Sequence, residues 1–388
     1  MTAAVDHASE LRQALASELV QRGTIIDSAW RTAVEQVPRE VFLGEAVFQP
    51  RRTEHGTEWV PVRRAEVSQA EWEQMAYTDV TWVTQIDGVG AEEAVAPIQG
   101  EPSCSSTLPG LMVAMLDAAE IGDGERVLEI GTGTGYSTAL LCHRLGSPAV
   151  SSIEYDPRVA AQARAALHQL GHGPDLRVGD GLDWPARDLD AEYDRLVATC
   201  AVRYLPAAWI WQVRAGGTIT APLSGWMTAT AFAHVTIAED GTAEGRFRDE
   251  ELSFMFARPH ARPPRSYYRL GLGEERETRI DPRLLGERMG VFLAQLAAPS
   301  AEKMGSEDRI ILLDVATGSQ ATTRPTEHGT WTVRQHGPLN LWDAVEDAIL
   351  IWQEAGSPDI GAFGLTATPR GQRVWLGSPD GPSWTLPA

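Results

Sequence analysis

The run Val127-Leu128-Glu129-Ile130-Gly131-Thr132-Gly133-Thr134-Gly135 constrains this chain more than any other stretch. It reads as a buried strand ending in an acid, a turn of alternate glycines and then a helix. Such a unit lets backbone approach a small ligand closely. The glycine spacing narrows the choice of ligand. A dinucleotide fingerprint needs its third glycine at position 136, where the chain has Tyr136. A phosphate-binding loop needs Gly-Lys-Ser/Thr, and the single lysine of the chain is Lys303.

The bulk composition excludes several classes. A length of 388 residues allows two domains, or three small ones. No apolar run reaches the roughly 18 residues of a membrane span. The start, Met1-Thr2-Ala3-Ala4-Val5-Asp6, lacks the basic and apolar regions of a signal peptide, so a cytoplasmic protein without membrane contact is expected. Cys104, Cys142 and Cys200 fit no metal spacing and give no disulfide framework, and no metal is expected. A net charge of −20 argues against nucleic acid, whose phosphates want clustered Lys and Arg. An acidic substrate would need a local basic patch.

Residues 8–36 read as helical, with Leu11, Leu15, Leu19 and Val20 at helical spacing. A polar stretch follows from about 50 to 74. Strands are expected at Arg126–Ile130, Ala149–Ile153, Leu176–Val178, Arg195–Ala198 and Thr218–Ala221. Helices are expected at Tyr136–Leu145 and from Asp156-Pro157 to Leu170, with Asp156 as N-cap. This alternation implies a parallel sheet covered on both faces. Phe232–Ile237, a turn at 239–241 and Leu252–Ala257 suggest an antiparallel pair at its edge. Prolines 259, 263 and 264 mark a break. Beyond it come a strand at Ile310–Val315, a helix from Leu341 to Trp352, and a hairpin from Phe363–Thr368 into Val374–Leu376. The expected architecture is α/β: an N-terminal helical segment (1–98), a Rossmann-like doubly wound domain (99–258) and a C-terminal α+β domain (266–388).

Four features fall in order along the carboxyl edge of that sheet, where open α/β sheets bind ligands. Glu129 ends the first strand. Glu154 ends the second, where a carboxylate can accept both hydroxyls of a ribose. Gly179-Asp180-Gly181 follows the third, and Asp194 opens the fourth as a structural acid. Together they resemble the cofactor site of class I S-adenosylmethionine-dependent methyltransferases, with Gly131–Gly135 as motif I. That resemblance implies S-adenosylmethionine as cofactor, contacted by Glu129, Gly131, Thr132, Gly133, Gly135, Glu154, Tyr155, Asp180, Gly181 and Thr199.

Further segments narrow the family. Val37-Pro38-Arg39-Glu40, Ala76-Tyr77-Thr78-Asp79, Ser105-Ser106-Thr107-Leu108-Pro109 and Ala198-Thr199-Cys200-Ala201 are together similar to the protein-L-isoaspartate O-methyltransferases. The resemblance spans about residues 30–240. It implies carboxyl O-methyl transfer, with Ser105, Ser106 and Thr107 as catalytic hydroxyls and Asp79, Arg203 and Tyr204 toward the substrate. The residue readings leave plainer alternatives open: the hydroxyls cap the helix at Pro109, and Arg203 is an exposed loop arginine. His168 and His172 are four apart but separated by Gly171, which disfavours zinc. The tail tryptophans (331, 342, 352, 375, 384) read first as core.

Two departures stand out. The link from Val80 to Cys104 differs from that of the repair enzymes, and some 130 residues follow the family region. Long chains of this pattern resemble actinobacterial methyltransferases encoded with peptide-maturation systems, those of graspetides and lanthipeptides. That resemblance implies a cyclised precursor peptide as partner. Its L-aspartate would be methylated, and the ester would lose methanol to an aspartimide or isoaspartate. The alternatives are a general isoaspartyl repair enzyme and a non-catalytic cofactor-binding partner of a maturation complex. Oligomeric state is left open.

Overall fold

The computed structural model describes residues 7–54, 56–183, 193–264, 267–269, 271–306 and 308–387. Residues 1–6, read above for a targeting signal, and the boundary residues 265 and 266 lie outside these. The chain divides into two compact units, Met1–Thr199 and Cys200–Ala388.

The first unit opens with α1 (His7–Gln21) and α2 (Ser28–Gln36). The single helix expected over 8–36 is interrupted because Gly23 turns the chain at φ +73°. Asp27 then restarts it, its side chain accepting from Ala29 N. After the 3-10 turn Arg39–Leu43, the strands β1 (Ala46–Thr53) and β2 (Gly56–Arg63) pair as a hairpin. Helix α3 (Gln69–Ala76) follows, opened by a Ser68–Glu71 capping box. The described residues of the polar stretch at 50–74 are therefore largely strand and helix. Its polar sequence hid a sheet that buries Phe48 against Val83, Ile86, Ala91 and Ala94, residues from elsewhere in the chain.

Strands β3 (Trp82–Ile86), β4 (Val89–Gly90) and β5 (Pro102–Ser106) complete this sheet in the order β2-β1-β3-β4, with β5 on β3. Helix α4 (Pro109–Ala118) leads to the alternating region: β6 (Val127–Ile130), α5 (Tyr136–Leu145), β7 (Val150–Glu154), α6 (Pro157–Gln169), β8 (Asp175–Val178) and β9 (Tyr193–Ala198). These four strands run parallel in the order β9-β6-β7-β8. Register aligns Ile130 with Ile153 and Ala198, so the ends of the central strands share one edge. Asp156 caps α6 at Arg158 N, with Pro157 in the first helical position.

The second unit contains α7 (Ala207–Gln212), β10 (Val213–Ser224), β11 (Thr230–Ile237), β12 (Ala243–Arg248), β13 (Glu274–Glu277), α8 (Arg288–Ala297) and β14 (Ala301–Ser306). It continues with β15 (Arg309–Asp314), β16 (Gln320–Pro325), β17 (Trp331–His336), α9 (Leu341–Glu354), β18 (Phe363–Thr368), β19 (Gly371–Leu376) and β20 (Ser383–Thr385). One antiparallel run has the order β10-β11-β12-β18-β19-β20, and a separate sheet the order β13-β17-β16-β15-β14. The partner expected after the 239–241 turn is Ala243–Arg248, not Leu252–Ala257. Gly241 at φ +79° closes a tight turn, so pairing resumes two residues later. The stretch 252–257 makes only an isolated bridge between Phe256 and Ala201. Trp342, Trp352 and Trp375 are buried, so three of the five tail tryptophans pack the core. No helix among the described residues is long and apolar enough to cross a membrane.

Candidate active site

The glycine turn has the backbone its sequence demands. Gly131, Gly133 and Gly135 have φ of +97°, +55° and +94°, a region that side chains rarely tolerate. A Cβ on Gly135 would lie 3.3 Å from Ala163 Cβ and 3.4 Å from Phe42 Cε1. At Gly133 the nearest atom to such a Cβ is the Ser105 carbonyl oxygen, at 3.7 Å. The middle of the turn therefore faces the end of β5. Gly131 N donates to Ile153 O (2.8 Å), and Thr199 Oγ1 donates to Gly131 O (2.5 Å), holding the turn from both neighbouring strands.

Two acids behind this turn behave differently. Glu129 has no solvent exposure. Its oxygens accept from Ser137 Oγ, from Thr138 Oγ1 (2.5 Å) and from Ser152 Oγ (2.7 Å). Burial pushes its carboxyl above the usual range, against the pull of these hydroxyls. The sequence reading put Glu129 against the cofactor, whereas the fold turns it inward as a hub joining β6, β7 and α5. Thr132, also placed on the cofactor, points inward too, sharing a 2.6 Å hydrogen bond with Ser152.

Glu154 does reach the turn. It accepts from Gly133 N (2.9 Å) through one oxygen and from Asp156 N (2.9 Å) through the other. Tyr155 beside it is 48% exposed. Asp180 is half-buried and accepts from Leu182 N (2.9 Å), and Gly181 packs against Ile130. Asp194 accepts from Arg126 N (2.7 Å), the structural job expected of it.

The hydroxyls at 105–107 are not helix caps. Leu108 occupies the N-cap position of α4 without a side-chain bond, and the helix start is held instead by Asp79 Oδ1, which accepts from Gly110 N (2.7 Å). Ser105 and Ser106 lie on β5, opposite Val83 and Trp82. Strand alternation then sends them to opposite faces. Ser106 is 1% exposed and its hydroxyl accepts from Arg39 Nε (3.4 Å), while Ser105 and Thr107 stay half-exposed. Ser106, one of the three hydroxyls expected to be catalytic, is thus turned into the core.

Asp79, expected toward the substrate, is occupied: besides capping α4 it accepts from Arg22 Nη1 (3.1 Å). Arg203 and Tyr204 belong to the second unit. Arg203 donates to Pro299 O (2.8 Å) and stacks 3.7 Å from the centre of the Trp226 ring, and Tyr204 packs on His260. Arg203 is therefore not the free loop arginine of the sequence reading.

Arg39 is the residue that reading passed over. It is fully buried, and all five of its N–H groups find acceptors, including the carbonyls of Ala76, Thr78 and Val80 on one side and of Ser106 and Thr107 on the other. Desolvation lowers its pKa to about 10. The only signal for it in the sequence is the Val-Pro-Arg-Glu string.

Parallel strands, a positive-φ glycine turn and acids along one sheet edge define a class I S-adenosylmethionine-dependent methyltransferase. Over residues 59–251 the chain matches the family described as Protein-L-isoaspartate(D-aspartate) O-methyltransferase (PCMT). It is 31% identical over 216 residues to Protein-L-isoaspartate O-methyltransferase 2 of Anaeromyxobacter sp. (strain Fw109-5), covering 55% of this chain and 70% of that one. A 28% identity over 217 residues relates it to Protein-L-isoaspartate O-methyltransferase of Ignicoccus hospitalis, covering 55% of this chain and 82% of that one. The chain belongs to this family, and it is an S-adenosylmethionine-dependent carboxyl methyltransferase.

A solved structure titled protein-L-isoaspartate O-methyltransferase aligns with 95% of this chain and 100% of its own, at a TM-score of 0.53 and 18% identity. Its fold therefore extends beyond residue 251. A long C-terminal part does not by itself set this chain apart from proteins of that name.

Proposed function

We propose that the acceptor is the side-chain carboxylate of an aspartyl-derived residue in a peptide chain, and in the first place an isoaspartyl residue. The observation that carries this is the approach of the Ser105 carbonyl to Gly133, which sets the segment bearing half-exposed Ser105 and Thr107 beside the glycine turn. In this reading the backbone of Gly131, Gly133 and Gly135, the carboxylate of Glu154, and Tyr155, Asp180, Gly181 and Thr199 hold the cofactor, which supplies a sulfonium methyl group when bound. Ser105 and Thr107 donate hydrogen bonds to the acceptor carboxylate. Ser106 and Asp79 hold that segment from behind.

The acceptor needs no general base, because an aspartate carboxyl, with an ordinary pKa of about 3.9, is ionised at neutral pH. The gain comes from holding oxygen and methyl carbon at attack distance, where a misplacement of about 1 Å costs about 100-fold. Replacing Ser105 by Ala together with Thr107 by Val is expected to lower kcat about 100-fold and leave affinity for S-adenosylhomocysteine unchanged. Undiminished turnover would remove these hydroxyls from the mechanism.

The isoaspartyl reading is favoured by the names of the relatives. A second reading, an L-aspartate in a cyclised, ribosomally made peptide of the graspetide type, is favoured by the departures between Val80 and Cys104. There β3 pairs with both β4 and β5, and the segment is tied to α6 through Gln85 Nε2 on Asp156 (3.0 Å) and Arg158 on Glu93 (3.1 Å). In that case the methyl ester is lost when the following backbone nitrogen attacks the carbonyl carbon and methanol leaves. The C-terminal part, residues 266–388, would then serve in peptide recognition. Offering the enzyme labelled cofactor with a linear isoaspartyl peptide, its L-aspartyl twin and a cyclised L-aspartyl peptide separates the readings. Turnover of the isoaspartyl peptide alone supports the first, and turnover confined to the cyclised L-aspartyl peptide replaces it with the second. Cofactor binding without turnover of any of the three would place the acceptor outside both readings.

A further inference from the structure

Arg39 is fully buried, yet its hydrogen-bond acceptors are all uncharged: five backbone carbonyls and the hydroxyl of Ser106. Enclosing a guanidinium against neutral acceptors is costly, and here the cost is offset because it satisfies five backbone carbonyls that an apolar side chain would leave without a donor. What the guanidinium adds is geometry. Its planar fork fixes five donor directions at once. Three of the carbonyls lie at the end of α3 and in the turn after it, at 76, 78 and 80, and two at the last residue of β5 and the one beyond it, 106 and 107. The fork therefore sets the angle at which β5 leaves its sheet, immediately beside Ser105 and Thr107.

The same 3-10 turn reaches the cofactor side. Phe42, three residues after Arg39, packs on Tyr136 with ring centres 5.9 Å apart and lies against Gly135. The Arg39 guanidinium itself sits 5.9 Å from the centre of the Tyr136 ring. One five-residue turn thus touches both the glycine loop and the hydroxyl segment, which come from separate parts of the sequence.

We infer that Arg39 is a positioning residue for methyl transfer, its guanidinium registering the Ser105–Thr107 strand end against the glycine turn so that acceptor oxygen and methyl carbon meet in line. This rests on the role proposed above for Ser105 and Thr107. Arg39 is fully buried behind that segment, so its effect falls on the rate of transfer and not on the affinity for substrate or cofactor.

The test uses the full chain carrying Arg39→Lys, which keeps the charge but loses the fork. Turnover of whichever peptide the wild type methylates is normalised to the molecules that bind S-adenosylhomocysteine by calorimetry. The expected result is a kcat lowered about 30-fold, with the Kd for S-adenosylhomocysteine and the KM for peptide each within about threefold of wild type. In Arg39→Ala, added methylguanidinium is expected to recover at least tenfold of the lost kcat, a rescue that a general loss of stability would not show. The proposal is overturned by an unchanged normalised kcat, by a cofactor Kd that rises in step with the loss of rate, or by variants in which no molecule binds cofactor. The Ser105→Ala/Thr107→Val enzyme, assayed in parallel, separates the two ideas. If that enzyme keeps full turnover, the underlying reading fails. If it loses turnover while Arg39→Lys does not, only the role of Arg39 fails.

Discussion

Two glutamates with no solvent exposure, Glu129 in the first unit and Glu346 in the second, are held by opposite means. Glu129 is surrounded by the hydroxyls of Ser137, Thr138 and Ser152, and burial pushes its carboxyl upward. For Glu346 burial also pushes upward, but bidentate hydrogen bonds from Arg276 (3.0 and 2.9 Å) and further bonds from Arg279 overcome it and bring the pKa down to about 2. The difference follows from what each region does. Around Glu129, neutral hydroxyls tie β6, β7 and α5 together without an ion pair. The Arg276–Glu346–Arg279 cluster lies in the second unit and works as scaffold.

The sharpest challenge to this contrast is Glu129→Ala. It strips three buried hydroxyls of their acceptor and opens a cavity, so a loss of about 4 kcal/mol in urea unfolding is expected. Affinity for S-adenosylhomocysteine should fall with it, because the turn loses its support. A smaller loss, about 2 kcal/mol, is expected for Glu346→Ala, since Arg276 and Arg279 are 38% and 50% exposed and can turn to water. Cofactor affinity there should stay within about twofold; a fall matching that of Glu129→Ala would dissolve the contrast.

The pH dependence has opposite sign for the two groups. Glu346 is depressed on folding, so its stabilisation is present above the ordinary glutamate range near 4.5 and is lost as pH falls toward about 2. Glu129 is raised, so the folded state holds its proton more tightly and stability declines as pH rises above that range. Urea midpoints measured from pH 2 to 7 should lose their acid-side slope in Glu346→Gln and their opposite slope in Glu129→Gln. The mildest effect belongs to Glu129→Gln at neutral pH. An amide keeps one acceptor for the hydroxyls and no charge, so about 1 kcal/mol or less is expected. A loss equal to that of Glu129→Ala would mean that the ionised carboxylate is required.

Much of the cofactor edge was legible before any tertiary structure, and for a local reason. Glycines at alternate positions, the apolar run before them and Asp156-Pro157 act within a few residues, so periodicity and capping report them. The hairpin at 46–63 was not legible, because its Phe48 is buried in a cluster completed by residues distant in the chain, Val83, Ile86, Ala91 and Ala94. The hydroxyl segment was half legible. Its residue types were visible, but read as a loop it gave no faces, and only pairing with β3 separates Ser105 from Ser106.

The amino-acid sequence by itself determined the strand–turn–helix, the positive-φ glycines and the acids in order along the sheet, because each depends on neighbours close in the chain. Tertiary structure decided which of those residues face the site. Glu129 and Thr132 turned inward, Asp79 became a helix cap, and Ser106 went to Arg39, a partner 67 residues away. Arg39 is marked in the sequence only by the Val37–Glu40 string, which gives it no role. Its role exists only once two distant turns bring five carbonyls to one point, which is a property of packing and not of spacing.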